Sequence, residues 1–248
     1  MAQQILRRLI GPAGQASHLV LPRRFGKVAE LQTVPGMALP HVALPHPESF
    51  WELIKSGMPG PNMPKEVFDY RWWNAPRLIK SAQKIAIARM LGIPHFYGSV
   101  YGVVFRGDRV LDYGLLSLKL VTNAGVAFLV DGLQNLTEPD LFKFHGYGTG
   151  TTAEAVGDTA LVTELTTQYV TDNVRPTGSQ TENAANIYET VATLSPDSGG
   201  TIAITEHGIF SATAAGTILD RSVFAAINLV AGSDSLQTTY RFTITAGG

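Results

Sequence analysis

Two pairs of ionisable residues near the carboxyl end of the chain, Glu206-His207 and Asp220-Arg221, are of the types that perform acid–base chemistry. A histidine beside a carboxylate is a common general acid or base. Both pairs, however, lie in stretches with a strand-like pattern. There, a carboxylate and an arginine on neighbouring strands form an ion pair that only orients the strands. The sequence therefore favours a structural ion pair over a catalytic one.

The motifs for metal and phosphate binding are incomplete. The six histidines are scattered, and none belongs to an H-E-x-x-H or H-x-H arrangement, so we predict no metal site. Residues 146–152 are rich in glycine but lack the lysine of a phosphate-binding loop, and we interpret them as a tight surface turn. The absence of cysteine excludes disulfides, thiolate metal sites and a cysteine nucleophile. We expect no cofactor and no enzymatic activity.

The two halves of the chain carry opposite charge. Residues 1–110 contain 14 of the 19 Lys and Arg residues but only 6 of the 20 Asp and Glu residues, whereas residues 111–248 contain 5 and 14. Eleven of the 14 prolines also lie in the first half. Proline fixes φ and removes a hydrogen-bond donor, so the proline-rich stretches at residues 44–47 and 58–64 cannot continue a helix or a central strand, and residues 1–64 are predicted to form an extended arm. Because apolar residues recur there, the pattern predicts an extended arm that buries them on other molecules.

Short helical segments interrupt this basic half. A helix is predicted at residues 48–57, inside the arm. Residues 65–94 are predicted to form a helical docking segment that ends at Gly92 and Pro94. The apolar residues at helical spacing are predicted to form its buried face: Ile79, Ala82, Ile85, Ala86 and Met90. The basic residues fall on the opposite face: Arg77, Lys80, Lys84 and Arg89. An aromatic cluster precedes them: Phe68, Tyr70, Trp72 and Trp73.

After Pro94 the hydrophobic period changes to two residues, which is typical of strands. Strands are predicted at residues 95–105, 110–120, 126–130, 141–147, 187–194, 201–205, 209–212, 222–227 and 235–245, with turns at 106–109 and 122–125. A short helix is predicted at residues 159–168. Many short strands separated by turn residues indicate a β-sandwich. We therefore expect a mainly β fold, with a sandwich or jelly-roll-like domain over residues 95–248 behind a long extended arm.

The basic and aromatic residues of the first half are suited to bind another macromolecule. Arginine pairs and aromatic rings can hold nucleic acid, but no nucleic-acid motif is present and the overall pI is about 6.6. A protein surface is the better match, because arginine and tryptophan are favoured anchors at protein interfaces. The residues predicted to form this protein-docking site are Arg7, Arg8, Arg23, Arg24, Phe25, Phe68, Trp72 and Trp73.

The second half of the chain carries a series of ordered motifs: FKFHGYGTGTTAE at 142–154, GDTALVTE at 157–164, AITEHGIFS at 203–211 and LDRSVFAAINL at 219–229. In this order they resemble a family of structural proteins in the virions of tailed bacteriophages, over about residues 111–248. The resemblance implies a place in the virion and a β-rich domain. It implies no activity and supplies no site residues.

Together, the arm, the charge division and the resemblance predict a capsid cement or decoration protein. We expect it on the capsid surface of the virion, where its arm binds the major capsid protein and stabilises the head. Other copies of the chain are expected partners, with a trimer as the favoured form. The alternatives are a tail, neck or fibre-base component, or a receptor- or glycan-binding appendage. No stretch approaches the roughly 18 apolar residues of a membrane-spanning helix, so no membrane association is expected.

Overall fold

The computed structural model describes residues 18–20, 41–43 and 49–246. Two short strands, β1 (His18–Val20) and β2 (His41–Ala43), pair in parallel. The helices are α1 (Phe50–Lys55), α2 (Lys65–Met90) and α3 (Asn123–Leu133), with a 3₁₀ turn at Pro139–Leu141. The longer strands are β3 (His95–Arg106), β4 (Arg109–Leu120), β5 (Phe144–Gly148), β6 (Ser179–Ala184), β7 (Ile187–Leu194), β8 (Thr201–Phe210), β9 (Ile218–Val230) and β10 (Asp234–Thr245).

The eight longer strands form two antiparallel sheets. One sheet has five strands in the order β4-β3-β10-β7-β6, and the other has three in the order β5-β8-β9. Side chains from both sheets, among them Val100, Leu236 and Ile204, meet in one hydrophobic core. The predicted mainly β, sandwich-like fold is confirmed. The hairpin turn predicted at residues 106–109 connects β3 to β4, and the strand predicted at 187–194 has those bounds.

Strand β6 was not predicted, and the strands predicted at 201–205 and 209–212 form the single strand β8. Two further segments differ in type. Residues 126–130, predicted as a strand, lie in helix α3, because the Thr122 hydroxyl accepts a hydrogen bond from the Gly125 amide at 2.9 Å and caps the first turn. Asn135 then adopts a left-handed φ of 58° just beyond the helix end. Residues 159–168, predicted as a helix, have no helical structure, since two of their backbone amides donate to the buried Glu206 instead.

Helix α2 extends over 26 residues to Met90, and Gly92, just beyond its C-cap Leu91, has the left-handed φ of 64° that stops the helix. Its buried face was predicted only in part. Ala82 and Ile85 are buried as expected, but Ile79 and Met90 are exposed. The buried line on α2 consists of Val67, Tyr70, Arg71, Asn74, Leu78, Ala82 and Ile85. The predicted face therefore took Ile79 in place of Leu78 and missed the two polar residues of the buried line.

Asn74 fixes helix α2 to both sheets at once. Its side-chain amide donates a hydrogen bond of 2.7 Å to the carbonyl of Leu116 in β4, and its oxygen accepts one of 3.1 Å from the amide of Ala225 in β9. Both strands are edges of their sheets, so the helix spans the seam between them. Asn74 is fully buried, and its amide therefore satisfies two edge-strand groups that would otherwise lack partners.

A long segment without helix or strand, residues 149–178, covers the three-stranded sheet and is anchored by Glu206. The buried Glu206 carboxylate accepts hydrogen bonds from the amides of Gly150 (3.1 Å), Val162 (3.1 Å) and Thr163 (2.7 Å). It also forms an ion pair of 2.9 Å with the buried Arg221. The predicted structural ion pair is thus confirmed between these two residues.

The glycine-rich stretch at 146–152 was interpreted as a surface turn, and this interpretation is wrong. Gly146 and Gly148 belong to β5, and they and Gly150 are buried. A Cβ atom added at Gly148 or Gly150 would lie 2.5 Å from a Glu206 carboxylate oxygen. These two glycines are therefore required because the backbone approaches the buried carboxylate too closely for any side chain.

We expect the substitution Glu206→Gln to lower the free energy of unfolding by about 3 kcal/mol, because it leaves Arg221 without its buried counter-charge. A glutamine also presents a donor group to backbone amides that need acceptors. Urea denaturation of the full chain at neutral pH measures the change. Glu138→Gln, at an exposed carboxylate, is the control and should change stability by less than about 0.5 kcal/mol. Equal stability of the two variants would contradict the anchoring role of Glu206.

Candidate functional site: the exposed face of helix α2 and the polar interior

The first half of helix α2 exposes three large aromatic side chains. Phe68 is partly exposed, whereas Trp72 and Trp73 are 62% and 74% exposed. Contiguous exposed apolar surface of this kind marks an interaction site on a soluble protein. The helix is fixed to the sandwich through Asn74, so these rings are presented on a rigid element. They are three of the residues predicted for protein docking.

The remaining predicted docking residues lie elsewhere. Arg7, Arg8, Arg23, Arg24 and Phe25 are outside the described residues. Tyr70, which the sequence placed with the aromatic cluster, is instead buried.

The environment of Tyr70 explains this placement. Its ring packs edge-on against Tyr113 with centroids 4.8 Å apart, and burial raises the pKa of its phenol well above the usual value. Residue 70 follows residue 68 by 200° around a helix, which turns its side chain toward the core. The aromatic cluster of the sequence therefore divides into an exposed and a buried part.

The second half of helix α2 presents a basic and apolar surface. Arg77, Lys80 and Lys84 are exposed and form no ion pair with any described residue. Ile79 and Met90, 46% and 78% exposed, lie on the same half of the helix. Sequence reasoning missed these two apolar residues as surface residues. The polar residues Arg71 and Asn74 belong to the buried line, which continues to Leu78 and leaves Ile79 on the exposed side.

Lys119, at the end of β4, shows how closely the basic residues of α2 are grouped. Burial is the main cause that lowers the pKa of Lys119 to about 8, and the positive charges of Lys84, Arg77 and Lys80 lower it further. Its ammonium donates a hydrogen bond of 3.2 Å to Ser81 of α2 and forms an ion pair with Glu154. The three basic side chains thus act together as one positive surface beside β4.

A second group of ionisable residues lies inside the sandwich. The His145 Nδ1 atom is 3.0 Å from His207 Nε2 and 3.0 Å from the Thr238 hydroxyl, and its Nε2 atom is 3.2 Å from the Thr190 hydroxyl. The Tyr147 hydroxyl lies 2.7 Å from the Thr238 hydroxyl. Burial lowers the pKa of His207 to about 3, and burial together with His207 lowers the pKa of His145 well below the usual value. Both imidazoles are therefore neutral at pH 7.

Asp220 lies in the same interior, and burial favours its neutral, protonated form. Burial raises the pKa of its carboxyl to about 7, against the opposing charge of Lys119 and a hydrogen bond from Ser222. Tyr240 donates to it at 3.5 Å. Because Asp220, His145 and His207 are at most 1% exposed, no molecule in solution contacts them in this structure. Their protonation is therefore coupled to the stability of the fold.

A groove of about 450 Å³ lies beside the β6–β7 hairpin. It is lined largely by Ile187, Tyr188, Phe242 and Ile244 and contains no charged side chain. Within the part of the chain that the structure describes, no three His, Asp or Glu side chains are grouped to hold a metal ion, and no helix is long and apolar enough to span a membrane. The exposed face of α2 is therefore the strongest candidate surface.

Comparison with known proteins adds no family to this picture. No protein-family model matches the chain, and no curated protein matches it.

We expect the interior groups to give opposing pH dependences. Between about pH 4.5 and 6 the unfolded chain protonates both histidines and the folded chain neither, so they lower stability as pH falls. Asp220 does the reverse, because its folded pKa of about 7 lies above the unfolded value. The three groups together release about one net proton on folding, which corresponds to a stability gain of about 1.4 kcal/mol per pH unit as pH rises.

The substitution Asp220→Asn removes the opposing contribution and should raise this slope to about 2.7 kcal/mol per pH unit. Denaturant unfolding of wild type and variant at several pH values between 4.5 and 6 measures both slopes. Parallel curves for the two proteins would show that Asp220 titrates normally in the folded state.

Proposed function

We propose that the protein is a structural component of a tailed-bacteriophage virion, a cement or decoration protein that docks on the major capsid protein and stabilises the head. The observation that carries the proposal is the exposure of Phe68, Trp72 and Trp73 on a rigidly anchored helix. The resemblance of residues 111–248 to tailed-phage virion proteins supports the virion as the place of action.

The physical argument begins with the two tryptophans. An exposed indole keeps a large apolar surface in water, and its burial at the centre of an interface contributes about 2 kcal/mol or more. Trp72 and Trp73 are carried by a helix whose buried side is fixed to both sheets, so little backbone freedom is lost on docking. Such rigid aromatic anchors support a permanent protein contact.

The distribution of ionisable groups supports binding over catalysis. Asp220, His145 and His207, whose pKa values are strongly shifted, are sealed in the interior. The exposed face of α2 is instead aromatic, apolar and basic. A basic first half of the chain suits an acidic protein partner. In the proposal, the predicted arm with Arg7, Arg8, Arg23, Arg24 and Phe25 adds further contacts to the same capsid surface.

We expect the double substitution Trp72→Ala and Trp73→Ala to weaken binding to phage heads by about 30-fold or more, because two exposed anchors are removed. Cosedimentation of the purified full chain with heads that lack this protein measures the affinity. Thermal unfolding of the variant should match wild type, since both side chains are largely exposed.

Trp51→Ala is the matched control, because Trp51 is 68% exposed on α1, outside the proposed site. It should bind as wild type does. Wild-type affinity of the double variant would remove α2 from the docking site. A copy number in purified particles far below that of the major capsid protein would place the chain in the neck or tail and overturn the cement proposal.

A further inference from the structure

Helix α3 has an unusual outer face. Its inner side packs closely on the sandwich, with Gly125 against the backbone of Leu219. On the outer side, Val126, Val130 and Leu133 recur at intervals of four and three residues, and all three are exposed, Leu133 by 89%. A helix on the surface of a monomeric protein usually has a polar outer face. The apolar outer face of α3 therefore indicates that another surface covers it.

Acidic residues border this apolar surface. Leu136 extends the exposed apolar line beyond the helix, and Glu138 and Asp140 follow it at once. Neither carboxylate forms an ion pair with any described residue. We call residues 126–140 the acidic strip. A partner that covers it needs apolar side chains bordered by positive charge.

The second half of helix α2 has those properties. Its exposed apolar residues are Ile79, Ile87 and Met90, and they lie beside Arg77, Lys80 and Lys84. We call residues 77–90 the basic strip. The two strips have the same construction, an exposed apolar line along a helix with a charged border, and their charges are opposite. The chain thus carries both halves of a complementary pair.

We propose that the basic strip of one copy of this chain docks on the acidic strip of a second copy. Among the described residues, no hydrogen bond or ion pair joins the two strips of one chain. Helix α2 is held to the sandwich through Asn74, and the start of α3 is held to β9 through hydrogen bonds from Thr122 to Ile218 and Leu219. Opposite charge favours this pairing and disfavours the pairing of two like strips. Because the two surfaces differ, repeated contact joins copies head to tail and closes them into a ring when the rotation allows.

This contact leaves the aromatic half of α2 free. A helix of 26 residues is about 39 Å long, so Phe68, Trp72 and Trp73 at its beginning and the basic strip at its end can be occupied at once. The self-association therefore does not depend on the proposed capsid docking, and each is tested by different residues.

Charge exchange in the full chain tests the pairing by sedimentation velocity. Wild type is expected to form an oligomer whose dissociation constant rises with salt. Lys80→Glu with Lys84→Glu, or Glu138→Lys with Asp140→Lys, should each weaken association by about tenfold or more. The protein that carries all four substitutions restores opposite charges across the contact and should recover most of the lost affinity. Leu133→Asp should weaken association without lowering the thermal stability of the monomer.

Asp172→Lys with Asp197→Lys is the matched control for Glu138→Lys with Asp140→Lys, because it changes the net charge by the same amount and sign at exposed positions outside both strips. It should leave association unchanged. A wild-type chain that stays monomeric up to about 100 µM would overturn the proposal. The proposal would also be overturned if the protein with all four substitutions associated no better than the two double variants, since the strips would then not face each other.

Discussion

The buried carboxylate of Glu206 is the interaction on which the rest of this half of the molecule depends. Residues 149–178 form no helix or strand, so many of their backbone amides need acceptors from elsewhere. Glu206 supplies acceptors to three of them, at Gly150, Val162 and Thr163, and pairs with Arg221 from the neighbouring strand. A buried charge is tolerated only with this degree of pairing. Glu206 therefore anchors two separate stretches of the outer cover of the small sheet, at residue 150 and at residues 162–163.

Helix α2 has the same importance for the other side of the fold. It meets the edge strands of both sheets, and its inner line places Arg71 and Asn74 among apolar neighbours. Because the inner line is fixed, the outer line is fixed as well, and Trp72 and Trp73 face outward by helix geometry alone. The surface that we propose for docking is thus a consequence of how the helix closes the seam between the sheets.

The sequence predicted the sandwich because alternating apolar residues are a strong signal, but contacts between distant residues decided the exceptions. Three of the five residues at 126–130 are β-branched or aromatic and favour a strand, but the cap at Thr122 begins a helix there. The face of α2 was misassigned because Asn74 occupies an inner position and shifts the apparent pattern from Leu78 to Ile79. The covering segment required Glu206, whose partners are more than forty residues away. Trp72 and Trp73, which the sequence assigned to docking by residue type and neighbouring charge, are exposed, whereas the docking itself stays a prediction.

Asn74 also determines how the fold would respond to mechanical force. Its amide ties one helix to β4 and to β9 simultaneously, through groups on opposite ends of a rigid planar unit. A pull on the helix is therefore transmitted to both sheets through this one amide. Hydrogen bonds strained side by side resist rupture better than bonds strained one after another. The seam between the two sheets is therefore strengthened at the point where Asn74 crosses it.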